Sequence, residues 1–312
     1  MSQLVHPSDR SWFARHTGKA RNYFALLKPR VMALAIFSAF VAMLIAPGAK
    51  AAAPALISML AIAAGAGAAG AINMWYEADI DAKMPRTSRR PVPVGQVAAG
   101  DALLFGIVLA ILSVVALAFS ANPLSAGLLL ATILFYGVIY TIWLKRRTPQ
   151  NIVIGGIAGA LPPVIGWTVA TGSLDWQAGV LFAIIFLWTP PHFWSLAVLK
   201  TREYAVAGIP MMPNVAGELV TRRYIFGYAV PLAIAGVAPW PLGMAGAGYG
   251  FIATLLGLEF LRRSWAVLRI SVEVSRKPAR RLFWFSIFYL YLIFLALLGD
   301  ALIAQLLPVP AV

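Results

Sequence analysis

The apolar residues of this 312-residue chain fall in continuous runs of near-helix length, separated by short clusters of lysine and arginine. A helix needs about 20 apolar residues to cross a bilayer core. The runs here meet that length. A membrane β-barrel would instead show segments of about ten residues in which apolar and polar positions alternate. The reading is therefore all-α, a polytopic membrane protein with about nine transmembrane helices in one bundle. Composition agrees: 61% of residues are hydrophobic and 12% charged, where soluble domains have about 45–50% and about 25%. No soluble domain of useful size fits.

Spans are read at 31–49, 53–75, 101–120, 124–144, 151–170, 177–199, 224–242, 245–261 and 283–306. The last apolar stretch before the basic loop is divided at Trp240-Pro241-Leu242-Gly243, because it is too long for one crossing. Pro162-Pro163 and Pro190-Pro191 are read as interruptions, which membranes tolerate where neighbouring helices, waters or a cavity satisfy the freed backbone. Both interrupted segments are candidates for lining a site.

The basic residues then fix an orientation. Six lie in the N-terminal tail, and four, three, four and seven lie in the loops after spans two, four, six and eight. Lys50 alone falls on the other side, so 24 of 25 share one face. By the positive-inside rule that face is cytoplasmic, the N-terminus with it, and the C-terminus is outside. The chain is thus read as a basic, interfacial N-terminal tail over 1–30, with Trp12, Phe13, Tyr23 and Phe24 among its cations, an intramembrane domain over 31–306, and a short outside tail over 307–312. A formal charge of +14 carried in such clusters reflects topology, and no nucleic-acid partner is expected. The lipid bilayer is the partner. Zero cysteines exclude disulfides, thiolate ligation and cysteine nucleophiles.

Acidic residues are scarcer, eleven in all, and three lie within five positions at the end of span two: Glu77, Asp79 and Asp81. On a helix, Asn73, Glu77 and Asp81 are spaced i, i+4, i+8 and drift only about 80° around the axis, so their oxygens share a face while Asp79 points elsewhere. Two carboxylates and an amide oxygen at a membrane boundary suit Mg²⁺, which commonly binds through one or two carboxylates together with substrate phosphates. Lys83, Arg86, Arg89 and Arg90 follow and would meet phosphate oxygens. A solvated, charge-balanced loop is the plainer reading.

Two further cytoplasmic clusters follow. Tyr140 to Asn151 contains Lys145, Arg146 and Arg147, and by itself reads as an aromatic belt with inside-positive charge. Trp188 to Pro213 contains His192, the only histidine outside the N-terminal tail, in an apolar segment beside a Pro-Pro pair. An ionisable residue there is a functional candidate, and a histidine hydrogen-bonded between helices is the alternative.

Together these residues resemble the UbiA-type intramembrane prenyltransferases, and within them the branch that acts on haem. The family pattern Asn-x₃-Asp-x₃-Asp is matched by Asn73, Glu77 and Asp81, with glutamate replacing the first aspartate. The runs Asp79 to Pro91, Leu144 to Gly156 and Pro191-His192-Phe193-Trp194 resemble the haem branch. Quinone-type relatives carry a second aspartate-rich motif where this chain has Lys200, Arg202, Glu203 and Tyr204.

The resemblance implies transfer of a farnesyl group from farnesyl diphosphate to a vinyl group of haem b, giving haem O and diphosphate, with Mg²⁺ as cofactor. It implies metal ligation by Asn73, Glu77 and Asp81, with Arg86 and Arg90 joining them in catalysis. It implies diphosphate contacts from Lys83, Tyr140, Lys145, Arg146, Lys200 and Arg202. His192 and Trp194 are the haem-binding candidates. It further implies a multi-pass protein of a bacterial inner (plasma) membrane with a cytoplasmic active face, supplying a haem A synthase or terminal oxidase assembly. The alternatives are a prenyltransferase acting on an aromatic or quinone precursor, and a transporter, whose broken helices would look similar. Against transport, the charged clusters gather at helix ends and none lies at mid-membrane.

Overall fold

The computed structural model describes residues 18–48 and 51–306. Expectations for Trp12, Phe13, Lys50 and the tail 307–312 lie outside the described residues. Within them the chain is helical and contains no strand.

A short helix α1 (Gly18–Leu26) is bent by 55° from α2 (Pro29–Ile45). Then come α3 (Ala52–Tyr76), a short α4 (Ala78–Lys83), α5 (Ala99–Ser120) and α6 (Pro123–Leu134), which runs on as a π-helix over Phe135–Leu144. After α7 (Asn151–Thr171) and α8 (Trp176–Leu199), the short helices α9 (Thr201–Val206) and α10 (Met212–Val215) lead into α11 (Glu218–Val237), α12 (Ala247–Arg269) and α13 (Lys277–Leu306).

Among the described residues, a long helix lies at each of the nine positions where a span is expected. Six are long and apolar enough to cross a membrane alone, and the bent pair α1–α2 makes a seventh. The exceptions, α11 and α12, carry Arg222, Arg223, Arg262, Arg263 and Arg269 inside the helix. Here the spans read at 224–242 and 245–261 need correcting. α11 starts at Glu218 and ends at Val237, and α12 continues eight residues past 261, because a helix need not stop where the apolar run stops. The break at Trp240–Gly243 is present, with Gly243 in the left-handed region at φ 72°.

The proline pairs also behave differently from the sequence reading. Pro162-Pro163 lie inside an unbroken α7 and Pro190-Pro191 inside an unbroken α8. Each ring deletes one amide hydrogen bond, and the rest of the ladder, packed on both sides, holds the helix through it.

Small residues let these helices approach closely. A Cβ on Gly166 of α7 would sit 2.0 Å from the Ala39 carbonyl oxygen of α2, which marks a backbone-to-backbone contact. α2 also packs on α13, so the bundle closes between the first and last long helices, and α8 packs on α7, α11 and α13. The stretch before α2 belongs to this packing. Leu26 is fully buried against Ala71, Met74 and Val97.

Candidate active site

The helical hydrogen bonds at the end of α3 continue across its break. The Glu77 amide donates to the Asn73 carbonyl (3.0 Å) and the Asp81 amide to the Glu77 carbonyl (2.8 Å). Asn73, Glu77 and Asp81 therefore keep the common face expected of them, and all three are buried. Asp79 is off that face and 58% exposed.

Each buried member meets a cation. Lys28 donates to Asn73 Oδ1, Lys145 lies 2.5 Å from Glu77 Oε2, and Arg90 lies 2.6 Å from Asp81 Oδ2. Burial alone would push the Glu77 carboxyl up; the Lys145 and Lys28 ammonium groups reverse that and hold it below the usual glutamate range. Thr141 fixes the amide: Asn73 Nδ2 donates to Thr141 Oγ1 (2.9 Å), whose own hydrogen goes to the Tyr136 carbonyl five residues back (2.7 Å). That bond to the fifth residue is how the π-helix enters the site.

Glu77 Oε1 is buried and has no hydrogen-bond partner among the described residues. A buried carboxylate oxygen is costly to leave bare, so this atom fits a cation ligand. No three histidine or acidic side chains converge among the described residues. A divalent ion here would thus take the two carboxylates, the amide and substrate oxygens, a donor set that suits Mg²⁺.

The remaining expected residues divide. Arg86 and Lys83 are exposed, and Tyr140 lies within electrostatic range of Glu77, Arg86 and Tyr204. Tyr140 stacks on Tyr136 and lies against Gly155, where an added Cβ would come within 2.3 Å of its ring. Arg146 is engaged elsewhere: it binds both oxygens of Asp79 (2.7 and 3.0 Å) and the Tyr76 carbonyl. Those hydrogen bonds hold the Asp79 carboxyl below its usual range. Lys200 pairs with Glu203 at 2.5 Å, and Arg202 is exposed.

His192 and Trp194 have different surroundings. Two positions apart on a helix they face different sides. Trp194 packs against Tyr224 and Tyr228 of α11. His192 instead lies between Trp188 (ring centroids 4.3 Å apart) and Phe283 (4.9 Å), both stacked. Its Nδ1 contacts Ser286 Oγ at 2.7 Å. The single Ser286 hydroxyl hydrogen goes to the Phe283 carbonyl (2.6 Å), so Nδ1 is the donor and Nε2 keeps the lone pair. Nε2 has no partner among the described residues.

Sequence reasoning missed Lys28 and Thr141. Lys28 counts in the sequence as one more tail cation. Its backbone is in the left-handed region (φ 51°), alone among described non-glycine residues.

The fold and the buried acid–amide–cation cluster define an intramembrane helical bundle with a charged site at one end. The chain belongs to the UbiA prenyltransferase family, whose description matches residues 35–306. It is similar to Protoheme IX farnesyltransferase 2 of Mesorhizobium japonicum, 55% identical over 298 residues, covering 95% of each chain. Protoheme IX farnesyltransferase 1 of the same organism is 59% identical over 91% of each chain, and that of Brucella suis 54% identical over 95% of this chain and 94% of its own. Among solved structures, a digeranylgeranylglyceryl phosphate synthase superposes with a TM-score of 0.76 at 18% identity, covering 91% of this chain and 98% of that one. A UbiA homologue from Archaeoglobus fulgidus bound to DMAPP and Mg²⁺ gives 0.63 at 16% identity, covering 88% and 99%.

Proposed function

We propose that this protein transfers the farnesyl group of farnesyl diphosphate to a vinyl group of haem b, giving haem O and diphosphate. The observation that carries this reading is the near full-length identity to proteins named protoheme IX farnesyltransferase. The buried cluster supplies the chemistry.

Asn73, Glu77 and Asp81 would hold Mg²⁺, which when bound neutralises the charge that develops on departing diphosphate. Lys28, Lys145 and Arg90 already surround those three residues, and Arg86 is exposed within electrostatic range of Tyr140. As the allylic C–O bond breaks, these cations stabilise the leaving group. The allylic cation is left in a bundle interior lined by aromatic and apolar side chains, where bulk water is excluded. The terminal vinyl carbon of the haem attacks it, a C–C bond forms, and the positive charge moves to the carbon beside the porphyrin. Water adds there, loses a proton and becomes the hydroxyl. Both organic substrates are apolar, so burial among helices favours their encounter.

His192 is the haem-facing group of this reading. A neutral imidazole whose Nδ1–H is held by Ser286 presents Nε2 as an iron ligand. In this reading the active face lies on the cytoplasmic side of a bacterial inner membrane, and the basic clusters support that orientation. The test uses purified protein in detergent with farnesyl diphosphate, Mg²⁺ and haem b, and product detection by mass. Haem O is expected. Prenylation of 4-hydroxybenzoate without haem turnover would refute the reading. Haem binding is followed through the Soret band: a shift that survives unaltered in His192→Ala would remove the ligand role.

A further inference from the structure

At the same end of the bundle as the Glu77 cluster, a second group of cations surrounds a pocket that the reaction does not use. The end is fixed by contact: Arg276, between α12 and α13, donates to the Leu199 carbonyl at the foot of α8. Tyr204, just beyond, is within electrostatic range of Tyr140. The pocket lies between α12 and α13, has a volume of about 270 Å³, and is lined by Arg262, Arg263, Ala266, Ile270, Pro278 and Arg281.

Its charge is unbalanced. Arg262 and Arg263 both bind Glu259, at 2.6–2.7 Å, and share that one carboxylate. Arg281 is exposed and makes no ion pair among the described residues. Three guanidinium groups therefore face one acid. Arg263 is further held over the Phe285 ring, 4.5 Å from its centroid, so it cannot swing freely into solvent.

Depth and lining indicate what fills it. Trp265 and Trp284, neighbours of the pocket on the same two helices, are 47% and 57% exposed. Outward-facing tryptophans mark the headgroup level of a bilayer. The remaining wall, Ala266, Ile270 and Pro278, is apolar, as the first methylenes of a lipid's acyl chains require and a free anion does not. The volume is small for a porphyrin and suits a headgroup. Guanidinium forks match phosphate oxygens in pairs.

We propose that this pocket binds the phosphate headgroup of an anionic phospholipid from the surrounding leaflet. A basic pocket between transmembrane helices at the headgroup level is a site of that kind. Its occupancy ties α12 to α13 and does not enter the transfer chemistry.

The experiment is native mass spectrometry of the full chain in detergent, titrated with phosphatidylglycerol or phosphatidylcholine. Wild type is expected to retain one phosphatidylglycerol in preference to phosphatidylcholine. Arg281→Gln should weaken retention about fivefold. Arg280→Gln, an exposed neighbour outside the pocket with the same change of charge, should leave it unaltered. Equal weakening by both variants would overturn the site in favour of a diffuse basic surface. Undiminished binding by Arg281→Gln, or equal binding of the two lipids, would also overturn it. Displacement of the lipid by millimolar inorganic phosphate would reassign the pocket to a soluble anion.

Discussion

Asp81 and Asp79 are two positions apart and differ in everything that matters to the proposed chemistry. Asp81 is buried against Arg90, and Asp79 is exposed against Arg146. Asp81→Asn should lower farnesyl transfer about 100-fold or more, the scale of losing one preorganised charge contact. Asp79→Asn should stay close to wild type, because surface ion pairs contribute little. Equal loss in both would break the assignment. EDTA should stop turnover and added Mg²⁺ restore it in the wild type. A subtler residue is Thr141, which touches no substrate in this reading but orients the Asn73 amide. Thr141→Val leaves a buried amide hydrogen without a partner, a cost of about 1–3 kcal/mol. Activity should fall while Thr141→Ser recovers most of it, and a Thr141→Val enzyme as active as wild type would show that the amide needs no such support.

Among the elements, α2 and α7 meet backbone to backbone, with Gly166 lying directly against the Ala39 carbonyl. Gly166→Ala has no flexible side-chain tip to displace, so overpacking should cost about 1–3 kcal/mol. Melting in detergent would report this as a lowered midpoint; an unchanged midpoint would mean the two backbones can separate freely. Gly179, which has open space around it, is the control. The same scale shows what a sequence can disclose. Apolar runs and basic loops located every long helix, since hydropathy and charge are local properties. The shared face of Asn73, Glu77 and Asp81 was legible because helical periodicity survives the break at Glu77. The unbroken paths of α7 and α8 through their prolines were not, because neighbours supply that stability. Nor was the engagement of Arg146 by Asp79, or the approach of Lys28 to Asn73, each a contact between residues 45 or more positions apart. The packing of Trp194 on α11, away from the surroundings of His192 two positions before it, was not legible either, because it depends on a neighbouring helix.

By the sequence reading, 24 of the 25 lysines and arginines share one face of the membrane. Reporter fusions after Gly172 and at Val312 should therefore read outside, and fusions near Arg89 and Arg276 inside. A cytoplasmic C-terminus would require an even number of crossings and would separate the clusters now assigned to one face. The chain also divides its labour along its length. Lys28, Asn73, Glu77, Asp81, Arg90, Thr141 and Lys145 all precede α7, whereas the aromatic cage of His192 needs Phe283 and Ser286 from α13. A ribosome delivering this protein into a membrane N-terminus first would thus have the diphosphate cradle available early. The surroundings of His192, the proposed haem-facing group, would wait until the last helix arrives, Ser286 lying 94 residues after His192. On the proposed function, the nascent chain would hold its cation-lined cradle first, and completion of the bundle by α13 would be the step that gives that cradle an acceptor.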